Sequence, residues 1–553
     1  MVNYGPSAGC VTCKSRRVKC DEAKPECHSC QRLNIRCGGY KPKPVKIRFK
    51  DQTSKVCNDI ASRHAAQNQQ LVPCLRSLSD PDPAVPFFIR HYAMMGRDMR
   101  SSRGFFEMLV PVYASEKQNS ALSLAVTAVA SEIMSRWRHE SSSRASRETY
   151  AQAINCLRKT IKDRNEWTNP ATILAVLALQ FYENFAVIYG RKSATRVHHD
   201  AAVSLLPFTD QNCPDGSLMA HIRRYILHIE ISSAIRQKRL LQSTAHSRIG
   251  CIEPKIAPGN FGPALDAIGA FVAELHASYW QQAAHNSFVS STEIPRNWIA
   301  EAKRIDEQLL AWARKVPQHL QPVRLTDGSS LDPSIPTYNS ICDVYISCQV
   351  GTLWNEWRAQ RLLLVKIILS SLSTNPPGRL AHSDAGISTG DEDFAKYKYI
   401  LQELIDSVCY SVPFYLGNQG GLLSIPDLTD PSIRLPSYRL LGNANQQKSA
   451  QKSEDEHRSH IIAQGPWHIM SMLSRVVEFF IEDYGQGMVS FLRPGQLQWI
   501  REQFLRVTQL LRIPLEETGD SEGRFYILDR SVHADLDGKI DDLARRVRKG
   551  AFI

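Results

Sequence analysis

The 553-residue chain is 43% hydrophobic and 22% charged, a composition that excludes a disordered or collagen-like chain and leaves room for several domains and a large buried core. Its net charge of +12 is concentrated: residues 1–50 hold twelve Lys/Arg against three Asp/Glu, so only +3 is spread over the remaining 503 residues. No run of eighteen uninterrupted apolar residues occurs; the longest apolar stretches, 173–179 and 362–369, read as core helices, and no membrane span is expected.

In chain order, the opening residues Met1 to Pro6 show no apolar signal segment, so a reducing compartment is expected. Residues 9–37 then carry Cys10, Cys13, Cys20, Cys27, Cys30 and Cys37, and the last three repeat the first three at an offset of seventeen residues. A CxxC pair offers two thiolates to one metal from a tight turn, and zinc takes four ligands in a tetrahedron. Two separate zinc ions would need eight ligand positions, so six cysteines suffice only if two sulfurs are shared. A disulfide framework belongs to oxidising compartments, and an iron–sulfur cluster usually takes four cysteines.

The stretch resembles the fungal binuclear zinc cluster family, whose pattern is CxxC, six residues, Cys, a loop, CxxC, six residues, Cys. All spacings match, as do Lys14, Arg16, Arg17 and Lys19 between the second and third cysteines and Pro25 in the loop. The resemblance implies two zinc ions bridged by Cys10 and Cys27, with Cys13 and Cys20 completing one tetrahedron and Cys30 and Cys37 the other. It implies double-stranded DNA as partner, with CGG-type triplets read by the paired basic residues Arg16 and Arg17, and a nuclear location.

Short helices are expected at residues 14–19 and 31–35, after each CxxC. Arg17 is the first candidate for a base contact, because guanidinium matches O6 and N7 of guanine bidentately. Lys14 and Lys19 suit phosphates, and Arg32 and Arg36 a supporting backbone role. Residues 41–50 alternate Val45, Ile47 and Phe49 with Lys46, Arg48 and Lys50, which reads as an extended basic arm on DNA or a nuclear-import signal. Val56, Ile60 and Leu71 are too sparse for a zipper, so the chain is expected to act as a monomer or to dimerise through its larger domain.

The expected organisation is a zinc cluster domain at 1–40, a basic arm and linker at 41–85, and a large all-helical regulatory domain at 86–553: mainly α. Leu122, Val126, Val129, Ile133 and Trp137 mark one face of a helix over 119–137 capped by Asn119 or Ser120, and Leu218, Ile222, Tyr225 and Ile229 mark another. Breaks are expected at 209–217, 374–393, 443–460 and 516–523. His198 to Leu206 resembles a His-x-x-Gly-Ala-x-x-Leu-Leu helix of the fungal transcription factor regulatory domain, with Ala201 in place of glycine. Trp354, Asn355, Glu356, Trp357 and Arg358, followed by Arg361 and Leu362, resemble a second such helix.

The remaining cysteines, Cys57, Cys74, Cys156, Cys213, Cys251, Cys342, Cys348 and Cys409, have no metal spacing and read as free thiols. His198, His199 and Asp200 are consecutive and point apart on a helix, while Glu456, His457 and His460 read as a solvated helix start rather than a metal site. Trp280, Trp354, Trp357 and Tyr345 read as aromatic core before a ligand pocket. With no P-loop, GxGxxG, GxSxG or HExxH motif, no enzyme is expected. The leading expectation is a DNA-binding transcription regulator of RNA polymerase II genes that receives a small-molecule or protein effector. The alternative is a zinc-containing interaction or ligand-sensing regulator without sequence-specific DNA contact.

Overall fold

The computed structural model describes residues 9–40, 83–93, 105–138, 144–210, 218–249, 261–285, 297–326, 331–374, 389–436, 454–482, 487–516 and 533–550. The basic arm at 41–50, the linker up to residue 82, and Cys57, Cys74, Cys213 and Cys251 lie outside the described residues. The chain divides into two compact units, Met1–Pro81 and Asp82–Ile553.

In the first unit two short helices, α1 (Val11–Ser15) and α2 (His28–Gln31), surround a core made of sulfur. Cys10, Cys27 and Cys30 are fully buried and Cys13 nearly so, with Tyr40 packed on them. A segment this short has no apolar core of its own, so cross-linking by metal must supply its folding energy.

The second unit is helical. Its first part holds α3 (Ala84–Phe88), α4 (Phe105–Ser115), α5 (Ala121–Trp137), α6 (Arg144–Thr160), α7 (Pro170–Ile188) and α8 (Val197–Leu205). Then come α9 (Leu218–Gln237), α10 (Ser243–Ile249), α11 (Phe261–His285) and α12 (Trp298–Lys315). The last part holds α13 (Cys348–Thr374), α14 (Thr389–Leu416), α15 (Glu454–Ile481), α16 (Gln496–Leu510) and α17 (His533–Gly550).

Local sequence explains the starts. Ser120 Oγ accepts the Ser123 N–H at 3.1 Å, capping α5, and Leu122, Val126, Val129, Ile133 and Trp137 are all buried along its inner face. Asn169 Oδ1 accepts the Ala171 N–H at 3.0 Å and Pro170 occupies the first turn, which opens α7. By length and composition α7 could cross a membrane, with mean hydropathy 1.6, yet 89% of that window is buried inside the fold. It is apolar on all sides because helices surround it.

The mainly helical reading holds, and among the described residues the helices are joined by one two-stranded antiparallel ladder, β1 (Val323–Leu325) with β2 (Cys342–Val344), in the register Val323 to Val344, Arg324 to Asp343 and Leu325 to Cys342. Arg324 holds Asp343 through two nitrogens, at 2.8 and 3.0 Å, so a cross-strand ion pair fixes a ladder too short to show a period of two. The breaks at 374–393 and 443–460 end early: α14 begins at Thr389 and α15 at Glu454, with Asp391 and Glu392, and Glu454, Asp455 and Glu456, in their first turns. Such acidic runs complement the positive helix start rather than mark a loop. Finally, Glu454, Asp455 and Glu456 form an exposed start to α15, but His457 and His460 are buried, 6% and 0% exposed, so the two histidines are not part of a solvated turn.

Candidate metal centre and nucleic-acid interface

The six sulfurs of the first unit form two overlapping sets. Cys10, Cys13, Cys20 and Cys27 offer sulfurs within 4.8 Å of one another, and so do Cys10, Cys27, Cys30 and Cys37. Cys10 and Cys27 belong to both, with their Sγ atoms 3.7 Å apart.

The backbone prepares these sulfurs for anionic charge. Cys10 is the N-cap of α1 and its Sγ accepts the Cys13 N–H at 3.3 Å; Cys20 Sγ accepts N–H groups from Cys10 and Glu22, each at 3.4 Å. These two N–H groups pull the Cys20 thiol down to about 7, and Cys37 is likewise lowered by the N–H groups of Cys27 and Gly39. Burial pushes the Cys13 thiol up to about 12 and raises Cys27 and Cys30 as well. Crowded, desolvated thiols resist ionising one beside another, and a dication at the centre of each set reverses that balance. The donor set therefore fits zinc.

The duplication extends to the backbone. Val18 N–H donates to Cys13 O at 3.1 Å, as Ile35 N–H donates to Cys30 O at 3.2 Å; Arg17 N–H donates to Lys14 O at 3.2 Å, as Asn34 N–H donates to Gln31 O at 3.0 Å. Arg17 and Asn34 both have positive φ, 53° and 50°. The expected helices at 14–19 and 31–35 are thus displaced toward the N-terminus, to 11–15 and 28–31. In each half the CxxC itself forms the helical turn, capped by Cys10 Sγ in the first and by the Asp21 carboxylate in the second, and the left-handed residue then turns the chain back toward Cys20 or Cys37. Arg16 is the C-cap and Arg17 the reversal point, so both leave the metal core from a turn and not from mid-helix.

Lys14, Arg16, Arg17 and Lys19 are all exposed, and among the described residues none has an acidic partner. The two halves are tied by Asp21, whose carboxylate accepts the His28 and Ser29 N–H groups at 3.0 and 3.1 Å. Thr12 closes the far side: its Oγ1 donates to Arg36 O at 3.2 Å and accepts the Gly38 N–H at 2.8 Å.

Residues 8–46 match the fungal Zn(2)-Cys(6) binuclear cluster domain. This domain binds two zinc ions. Over 52 residues the chain is 52% identical to pestheic acid cluster transcriptional regulator 3 of Pestalotiopsis fici, covering 9% of each chain. Over 65 residues it is 42% identical to transcriptional regulatory protein moc3 of Schizosaccharomyces pombe, covering 12% of each. A longer match, 21% identical over 303 residues, covers 53% of this chain and 64% of transcription factor dbaG of Emericella nidulans. The chain thus spans about a tenth of the length of the first two relatives and under two thirds of the third. No solved structure matches the chain.

Outside the cluster domain, the histidines singled out in sequence do not converge. His199 Nε2 lies 2.7 Å from Glu230 Oε2, His198 lies beside Tyr150 and Glu183, and Asp200 accepts from Arg196 and Gln242. His460 Nε2 pairs with Gln464 Oε1 at 2.7 Å. Trp354 and Trp357 donate to the Leu320 and Leu309 carbonyl oxygens; Trp354 and Tyr345 are buried core, and Trp357 is half-buried against it. Sequence reasoning missed a polar cluster of His228, Asp266 and Glu356, which lie 38 and 90 residues apart in sequence and meet only where α9, α11 and α13 pack.

Proposed function

We propose that this chain is a nuclear, sequence-specific DNA-binding regulator of genes transcribed by RNA polymerase II, reading CGG-type triplets in double-stranded DNA. The observation that carries this reading is the exposed, acid-free basic turn at residues 14–19 mounted on two four-sulfur sets. Cys10 and Cys27 bridge the two zinc ions; Cys13 and Cys20 complete one tetrahedron, Cys30 and Cys37 the other. Arg17 reads guanine first, with Arg16 beside it, while Lys14 and Lys19 hold phosphates. The relatives' names, which are those of transcription regulators, support the same reading.

The domains follow as cluster at 1–40, basic arm and linker at 41–85, and a non-enzymatic regulatory domain at 86–553 that receives a small-molecule or protein effector. The regulator acts as a monomer or as a homodimer formed through the larger domain.

The test is an unbiased selection of DNA sites by the full-length protein, with zinc and with a chelator, at fixed salt. Enrichment of a CGG-containing site that vanishes on chelation supports the reading, and the motif reports one half-site or two. A zinc-replete protein that enriches nothing rejects it in favour of an interaction module. A folded Cys27→Ala protein retaining both zinc ions would reject the bridging assignment.

A further inference from the structure

In the second unit, helices α9, α11 and α13 bring His228, Asp266 and Glu356 together, all three buried. His228 Nδ1 stands 2.9 Å from Asp266 Oδ1, and one donor atom from each of the three residues lies within 4.8 Å of the other two. They line one end of a cavity of about 80 Å³ whose further walls come from α15 and α17. Imidazole and carboxylate are the donors that zinc and its neighbours take where three protein ligands leave a position open to water.

The cations of this cavity gather toward its other end. Arg236 follows His228 by eight residues on α9 and Lys366 follows Glu356 by ten on α13, so their backbones lie about 12 and 15 Å further along at the helical rise. Lys238 pairs with Glu482 and Arg548 with Glu478, each at 2.9 Å, and Lys366 Nζ donates to the Phe479 carbonyl oxygen at 2.9 Å. Arg475 belongs with this group: after burial, Arg548 and Arg475 are the charges that most weaken the hold of Arg236 on its proton.

Independently of the three ligands, Ser232 lies one turn beyond His228 on α9 and Gln360 one turn beyond Glu356 on α13, and both line the cavity, 9% and 6% exposed. Ser232 Oγ and Gln360 Oε1 have no hydrogen-bond partner among the described residues. Gly269, one turn beyond Asp266, admits the Gln360 amide against α11, since a Cβ there would stand 2.8 Å from Gln360 Nε2. His228, Asp266 and Glu356 therefore form one layer, with Ser232 and Gln360 in the next. Gln360 Oε1 only accepts, so what it lacks is a donor hydrogen or a cation, and a hydrated ion held one turn away supplies both.

We propose that His228, Asp266 and Glu356 hold one divalent transition-metal ion of the zinc class, a third metal of the chain, with Ser232 Oγ and Gln360 Oε1 accepting from its bound water. The site stands on the second unit alone and does not depend on the DNA-reading role.

The test is metal analysis of the full-length protein, equilibrated with zinc and then gel-filtered in a weak chelator that strips surface histidines. Three zinc ions per chain are expected for wild type, and two for Asp266→Asn and for Glu356→Gln, which keep the side-chain volume and remove a ligand charge; tryptophan melting curves report that each variant folds. Cobalt in place of zinc tells the sites apart. The third cobalt ion is expected to add d–d absorption without a thiolate charge-transfer band, because its three protein ligands carry no sulfur. A total of two ions in wild type overturns the proposal. So does a third ion that persists in the folded Asp266→Asn and Glu356→Gln variants, which places it elsewhere, or a third cobalt ion that brings a thiolate band, which places it on cysteine.

Discussion

Arg17 and Asn34 stand seventeen residues apart and adopt the same left-handed backbone, with φ of 53° and 50°. Asparagine enters this region readily, whereas arginine does so at a cost that its surroundings must offset. Arg17→Asn is therefore expected to keep the turn and both zinc ions while removing the guanidinium. Affinity for a CGG duplex should fall by about 1–3 kcal/mol, the usual value of a bidentate base contact, and affinity for a scrambled duplex should change less. Fluorescence anisotropy with both duplexes checks this. Equal losses on the two would make Arg17 a phosphate contact.

Asp21 serves α2 as a cap supplied from across the loop, since the N-cap Cys27 makes no side-chain cap bond. The His28 N–H, together with the Ser29 N–H, holds the Asp21 carboxyl well below the usual range. Asp21→Ala is expected to release zinc to a colorimetric chelator several-fold faster than wild type, and Asp21→Asn to fall between the two. An unchanged release rate would mean that the metals alone fix the second half.

In the second unit Gly465 of α15 meets α14 backbone to backbone. A Cβ on Gly465 would lie 2.2 Å from the Tyr415 carbonyl oxygen, an atom that cannot move without displacing the helix. Gly465→Ala is expected to destabilise the unit by about 3 kcal/mol or more, the upper range for overpacking. Gly421→Ala, where a Cβ has nothing within 4 Å, is the matched control and should melt as wild type.

Glu230 is fully buried. Burial alone would raise its pKa, but Arg239, then His199 and the Gln242 N–H, overcome burial and hold it at about 2. A depressed folded-state pKa contributes stability that is full above the unfolded value of about 4.3 and is lost as pH falls through the folded one. The unit is therefore expected to lose about 3 kcal/mol between about pH 4.5 and pH 2, and Glu230→Gln to flatten that part of the profile. Denaturant melts at stepped pH test it. A Glu230→Gln profile parallel to wild type would assign the acid sensitivity elsewhere.

All nine tryptophans lie beyond residue 82, so intrinsic tryptophan fluorescence reports the helical unit alone. In the Asp266→Asn protein, chelation is expected to abolish DNA binding while leaving the tryptophan melting curve in place. A shifted curve would show that zinc also supports the second unit through residues other than His228, Asp266 and Glu356.

The cluster was legible in sequence because its ligands are local. Six cysteines within twenty-eight residues, repeated at a fixed offset, determine the sharing of sulfurs by ligand number alone. Amphipathic helices such as α5 were equally legible, since apolar steps of three and four residues specify a buried face before any partner is known. The place of the helical turn was not: it depends on Cys10 Sγ capping the backbone, although Asn34 in the repeat of Arg17 was a clue to the left-handed reversal. Tertiary packing alone decided the rest. The burial of His457 and His460, the ladder pinned by Arg324 and Asp343, and the cavity walled by Arg236, Lys366, Arg475 and Arg548 join residues from distant helices and strands. A polar side chain in sequence reads as solvated; only the neighbours brought to it by folding decide whether it is buried, paired, or directed at a ligand.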